Sequence, residues 1–188
     1  MIRTRDLRRL VDGLLAYLSA AVERPGDTLR VDVLALVKDG AAILAPSAIR
    51  SSLASIERRL NAKGLRVVDR PWACVDATAG ELVVAEPELS VDPLALDELG
   101  RVGRDGAVMP GRYPVVGWAF GVGQEEQGPI SRALALTLAG SRLVDRATLQ
   151  PQVALDRLAS LVSRLRPVAI WGETPQELVG PLAALASG

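Results

Sequence analysis

The stretch AAILAPSAIRSSLASIERRL, residues 41–60, decides how this chain is read. Its opening AAILA has strand character, Pro46-Ser47 makes a tight loop, and SSLASIERRLNAKG reads as a helix. Ser47 is the expected N-cap of that helix, and Gly64 suits its C-terminal stop. In nucleotide-binding folds a phosphate loop of pattern G-x-x-x-x-G-K-[ST] occupies the same place between a strand and a helix. Its glycines let several backbone N–H groups curl toward one anion. Its lysine supplies a point charge, and its Ser/Thr holds magnesium. Here the frame is Ala45-Pro46-Ser47-Ala48-Ile49-Arg50-Ser51-Ser52. It has no glycine and no lysine, and Ser52 alone keeps a ligand position.

Working outward, LRVDVLALVKDGAAILAPS (29–47) reads as two strands joined by a KDG turn. LRVVD and WACVD are short apolar strands separated by Pro71, and TAGELVVAEPEL turns at Ala79-Gly80 into another. Residues 90–114 are rich in Gly, Pro, Asp and Arg and read as loops with one short helix. YPVVGWAFGV returns to strand. After Gly128 the pattern becomes helical, in PISRALALTLAG and QPQVALDRLASLVSRLR. Pro167 is expected to end the second of these, before a short strand, VAIW. In TPQELVGPLAALA, Thr174, Pro175 and Glu177 predict a capped final helix with a capping box. At the N-terminus, Leu7, Leu10, Val11, Leu14, Leu15, Leu18 and Val22 follow helical spacing, while Asp6, Asp12 and Tyr17 interrupt the apolar run. That is the pattern of a packed amphipathic helix and not of a signal peptide. The sum is a single mixed α/β (α+β) domain over residues 1–188. An N-terminal helix (1–28) leads into a sheet-rich core (29–127) and a helical C-terminal part (128–188), the central sheet being flanked by helices.

Composition removes several function classes. Hydrophobic residues make up 49% of the 188 residues and aromatics 3%, so the core is aliphatic. Lys+Arg and Asp+Glu balance at 22 each, without the basic surplus that nucleic-acid binding needs. No apolar run reaches the roughly 18 residues of a membrane span, which makes the cytoplasm the expected compartment. The absence of histidine excludes Ser-His-Asp and Cys-His machinery and His-ligated zinc. The single cysteine, Cys74, sits in the apolar run WACVD, as a buried structural thiol does.

The loop and the segments beyond it resemble the HPr kinase/phosphorylase-like family of bacterial serine kinases, whose loop reads G-P-S-G-x-G-K-S. Pro46, Ser47 and Ser52 match that pattern. Ala45, Ala48 and Arg50 stand where it has glycines, and Ser51 stands where it has lysine. The family continues with a helix, a glycine, a short strand and an acidic pair. LNAKGLRVVDR supplies Gly64, the strand and Asp69, but Arg70 replaces the second acid, and the helix is two residues longer. VDATAGELVVAEPEL resembles the family's hairpin, and ALDRLASLVSRLRPVAIWGETPQELVGPLAALA its closing helix, strand and helix. The resemblance spans most of residues 29–186 and makes 29–127 the kinase-like core.

The resemblance implies a fold that binds ATP, magnesium and a serine-bearing peptide or protein. The residues oppose the first two, because three added Cβ atoms crowd the loop and the lysine is gone. Each lost charge-assisted contact is worth about 1.5–3 kcal/mol. No cofactor, metal ligand or catalytic residue is therefore expected. What the family context leaves is a pseudokinase that holds a precursor or leader peptide of ribosomal natural-product biosynthesis, for a biosynthetic enzyme to act on. Asp69, Arg70, Trp72, Arg112, Tyr113 and Trp118 are the candidate peptide-binding residues, since aromatics and arginine dominate binding hot spots. Two other classes stay open: an atypical serine kinase using Arg50, and a regulatory partner subunit. Neither nucleic acid nor membrane is an expected partner, and a homo-oligomer is compatible with the sequence.

Overall fold

Val33–Val37 and Ala42–Ala45 are buried at every position, and this continuous burial sets the architecture. The computed structural model describes residues 28–70, 72–85, 108–123, 127–144 and 149–187. In it β2 (Val33–Lys38) and β3 (Ala41–Pro46) form an antiparallel hairpin. Asp39 and Gly40 close it at φ 50° and 81°, the positive pair that a two-residue type I′ turn requires. Successive strand side chains point to opposite faces. Val33, Ala35, Val37, Ala42 and Leu44 enter one core, and Leu34, Leu36, Ile43 and Ala45 enter another. The hairpin is thus the middle of three layers.

The sheet is mixed. The later half of β7 (Gly111–Gly121) lies parallel to β3 on one side and to β9 (Arg166–Ile170) on the other. β4 (Arg66–Val67) flanks β2, and β8 (Gly128–Pro129) flanks β9, both antiparallel. The first residues of β7 instead pair with β6 (Glu81–Val84), which leads to β5 (Ala73–Asp76) and β1 (Thr28–Val31). One long strand therefore belongs to two sections of sheet. A tight 3-10 turn, Ser47–Ser52, runs into α1 (Leu53–Ala62), which packs with α4 (Pro175–Leu185) on one face. Ile56 and Leu60, four apart, are the buried stripe of α1. On the other face lie α2 (Arg132–Ser141) and α3 (Pro151–Arg164). Full burial of a side chain such as Leu158 or Leu182 stabilises by roughly 1.5–3 kcal/mol, so both faces contribute.

The mixed α/β class and the sheet position of residues 41–45 agree with the sequence. Several local expectations are corrected. Residues 29–47 make three strands, not two, because Asp32 breaks the first between β1 and β2. Ser47 is not an N-cap: Pro46 precedes the 3-10 turn, and the Ser47 hydroxyl donates to Asp32 Oδ2 at 3.1 Å. The strand in LRVVD contracts to Arg66–Val67. Residues 111–114 belong to β7 and not to a loop, while the short helix expected before them falls outside the described residues. Pro167 does not end the helix but lies inside β9. Glu177 accepts from the Thr174 hydroxyl (3.1 Å) and the Glu173 N–H (3.0 Å), while Thr174 makes no reciprocal cap. Thr28 is strand, and the expected N-terminal helix otherwise lies outside the described residues. Among those residues, no helix is long and apolar enough to cross a membrane.

Candidate functional site

Four connections meet beyond the end of β3, and the strand registers bring them there. Val33 faces Pro46, so Asp32 sits beside Ser47. Val31 faces Ala73, which brings Trp72 alongside the β1–β2 junction. The Val68 N–H donates to the Ala35 carbonyl at 3.0 Å, so the chain after β4 returns along β2 to the same place. Cys74 faces Val83, which carries Ala85 toward Trp72. The C-terminal ends of the parallel strands adjoin this corner too. Gly121 lies against Pro46, and the Val122 N–H donates to the Ile170 carbonyl at 3.2 Å. Crevices at the C-terminal ends of strands are where open α/β sheets bind ligands.

The corner is closed by arginines that turn inward. Arg50 donates from Nη1 to the Arg70 carbonyl and from Nη2 to the Val33 carbonyl. Its Nε is buried without a hydrogen-bond partner. Burial draws its pKa below the ordinary arginine value, and the carboxylates of Asp32 and Asp69 oppose that shift. Arg70 is half-buried and donates to the Ala85 carbonyl at 3.2 Å. Together they tie the β1–β2 junction, the 3-10 turn, the β4–β5 connection and the end of β6 to one another. The surface of the corner is carboxylate and indole: Asp32, with its carboxylate 3.9 Å from Arg142 Nη1, exposed Asp69, and half-buried Trp72, whose ring lies 5.9 Å from the Arg30 guanidinium.

The positions that differ from the phosphate-loop pattern have the following surroundings. Ala45 is fully buried in the core under α1 and α4. Ala48 and Ser51 are exposed, and the Ser51 hydroxyl donates to the Ala48 carbonyl at 2.9 Å. Ser52 is half-buried, and its carbonyl accepts from the Ser55 hydroxyl at 2.7 Å. Arg50, the side chain that the alternative of an atypical serine kinase would use, is engaged with carbonyls. The side-chain hydroxyl of Ser51 and the guanidinium of Arg50 are thus both turned to backbone carbonyls. Among the described residues, no three His, Cys, Asp or Glu side chains converge as a metal site.

Of the expected peptide-binding residues, Asp69, Arg70 and Trp72 come together here. Arg70 is half-buried, because its guanidinium donates to the Ala85 carbonyl. Three others do not join them. Trp118 is 1% exposed, inside the core, with its ring stacked on Phe120 at 5.0 Å. Arg112 bridges Asp76 and Glu81, each at 3.0 Å, at the end of β5 remote from Trp72. Tyr113 is half-buried against the core, and its hydroxyl donates to the Met109 carbonyl at 2.7 Å. Asp32 and Ala85 were missed by sequence reasoning. Asp32 did leave a signal, as an acid set between apolar strand residues; Ala85 left none. No protein-family model, curated protein or solved structure matches the chain.

Proposed function

We propose that this protein is a non-catalytic peptide-binding protein on an HPr-kinase-like scaffold, a pseudokinase that holds a precursor or leader peptide for the enzymes of ribosomal natural-product biosynthesis. The observation that carries this reading is Arg50. In the frame that a phosphate loop would use, its guanidinium is locked onto the carbonyls of Val33 and Arg70. Ala45 supports it, since its Cβ is packed in the core where the loop would need a glycine. With the corner filled by the chain's own groups, recognition is left to the surface above it. Asp32, Asp69 and Trp72 offer hydrogen-bond acceptors and an aromatic face there, suited to a peptide.

Two measurements test this. ATP with magnesium at millimolar concentration should leave the melting temperature unchanged, because a ligand specific to the folded state must raise it. Calorimetry with synthetic peptides copied from short reading frames beside the gene should show micromolar affinity, about −8 kcal/mol. Trp72→Ala should weaken that binding by about 2 kcal/mol, roughly thirtyfold. A clear rise with ATP would favour the atypical serine kinase. Absence of binding to every such peptide would remove the function.

A further inference from the structure

The outward side of α1 and its C-cap carry charge of one sign. Arg58, Arg59 and Lys63 are exposed there, and among the described residues none of the three makes an ion pair or a side-chain hydrogen bond. Other arginines of the fold are engaged. Arg112 and Arg142 face carboxylates, and Arg50, Arg70 and Arg164 donate to carbonyls. Arg59 and Lys63 are four apart, a spacing at which like charges on a helix repel. Lys38 brings a further cation to the same end. Its Cε lies 3.7 Å from where a Cβ on Gly64 would be, and its Nζ donates to Ser187 Oγ at 2.6 Å. Those contacts also place the end of α4 beside the end of α1.

We propose that this surface docks an acidic segment of a partner protein. The carboxylates around it do not balance it. Glu57 is the acid that α1 contains, and it is half-buried, while Asp39 is exposed at the hairpin tip beside Lys38. Glu173 and Glu177 sit at the start of α4, about 15 Å from its end by helix rise. Glu177 is also occupied there, by the Glu173 N–H and the Thr174 hydroxyl. A helix dipole does not require the cluster, because α4 ends beside it with no basic residue in its last turn. The chemistry of the surface selects the partner. Guanidinium groups pair with carboxylates through two parallel hydrogen bonds. The net charge of +0 lacks the surplus that nucleic acid attracts. Among the described residues, no exposed large hydrophobic side chain belongs to α1, so the second, apolar signal of stable membrane attachment is missing. The surface lies toward the end of α1 remote from Arg50, so its docking does not depend on the peptide reading of the corner.

Fluorescence anisotropy on the full chain tests this. A labelled oligoglutamate of about twelve residues should bind at about 50 mM salt, and screening at about 200 mM should weaken the binding severalfold. Arg58→Glu/Arg59→Glu should weaken it at low salt by about tenfold or more, since repulsion then replaces attraction. Arg132→Glu/Arg166→Glu makes the same change in net charge at exposed arginines elsewhere, and should stay within about twofold of the wild type. Equal losses in the two variants would overturn the proposal, because they would report net charge and not a surface. Absence of binding by the wild type would overturn it as well. Vesicles containing phosphatidylserine and a single-stranded oligothymidylate form the competing arms. Tighter binding of either, lost in Arg58→Glu/Arg59→Glu alone, would assign the surface to a membrane or to nucleic acid and overturn the proposal. Should charge reversal prevent folding, Arg58→Gln/Arg59→Gln against Arg132→Gln/Arg166→Gln decides by the same comparison.

Discussion

The guanidinium of Arg50 serves two carbonyls on two different connections, Val33 and Arg70. A lysine could reach only one of them, and from a single point. Arg50→Lys should therefore lower the unfolding free energy by about 1.5–3 kcal/mol, the worth of a hydrogen bond to a charged group. An unchanged urea midpoint would show that the guanidinium is not a tie. Asp76 makes a different residue-scale claim. The Ala79 N–H, at 2.9 Å, is the largest cause holding its carboxyl below the ordinary value, with Arg112 and the Thr78 N–H adding to it and burial opposing. A carboxyl depressed in the folded state stabilises above its unfolded pKa and loses that contribution as pH falls through the folded one. Stability should therefore decline on acidification below the ordinary aspartate range, and Asp76→Asn should flatten that limb of the urea-midpoint curve. Both residues show where sequence reading ends. That Arg50 and Ser51 depart from the phosphate-loop pattern is visible in the sequence. That Arg50 turns inward depends on Val33 and Arg70, which local sequence does not place beside it.

β7 and α4 meet at a point where only glycine fits. A Cβ on Gly117 would lie 2.6 Å from Cγ and Cδ1 of Leu185, which is itself buried at the end of α4. Gly117→Ala should cost about 1–3 kcal/mol through overpacking. Leu185→Ala alone should cost about 2–5 kcal/mol through the cavity it leaves. The double variant should be more stable than the sum of the two losses predicts, since each change relieves the other. Strict additivity in urea denaturation would disprove the close approach. The strand itself was legible: YPVVGWAFGV marks it, and β-branched and aromatic residues fill it. Its neighbours were not. The parallel contact of Ala42 with Val115 joins segments far apart in sequence, and no local period encodes such a pairing. Pro167 misled for a related reason. A proline after a helical run suggests a stop, yet β9 starts at Arg166 and carries Pro167 within it. The start of α2 is the reverse case: the Ser131 hydroxyl accepts from the Leu134 N–H at 3.2 Å, a cap that PISRAL contains in plain view.

At the scale of the molecule, the two cores lie on opposite faces of the same strands. Val33, Ala35 and Val37 belong to one and Leu34 and Leu36 to the other, so β2 cannot leave either core while remaining in its partner. β7 repeats the arrangement, with Trp118 and Phe120 on one face and Ala119 on the other. This coupling is a property of alternation in a strand covered on both sides. It predicts that the faces unfold together although the helices covering them are different. Leu158→Ala in α3 and Leu182→Ala in α4 each open a cavity in a separate core and should each cost about 2–5 kcal/mol. Each variant should still unfold in one transition, with tryptophan fluorescence and far-UV circular dichroism giving the same midpoint. Because the two leucines share no core cluster, their losses should add to within roughly 0.5 kcal/mol. If the layers were independent, Leu158→Ala would move one of two resolved transitions and leave the other in place. That outcome would mean the central strands hold their positions with one face bare, against the burial of every side chain from Val33 to Val37.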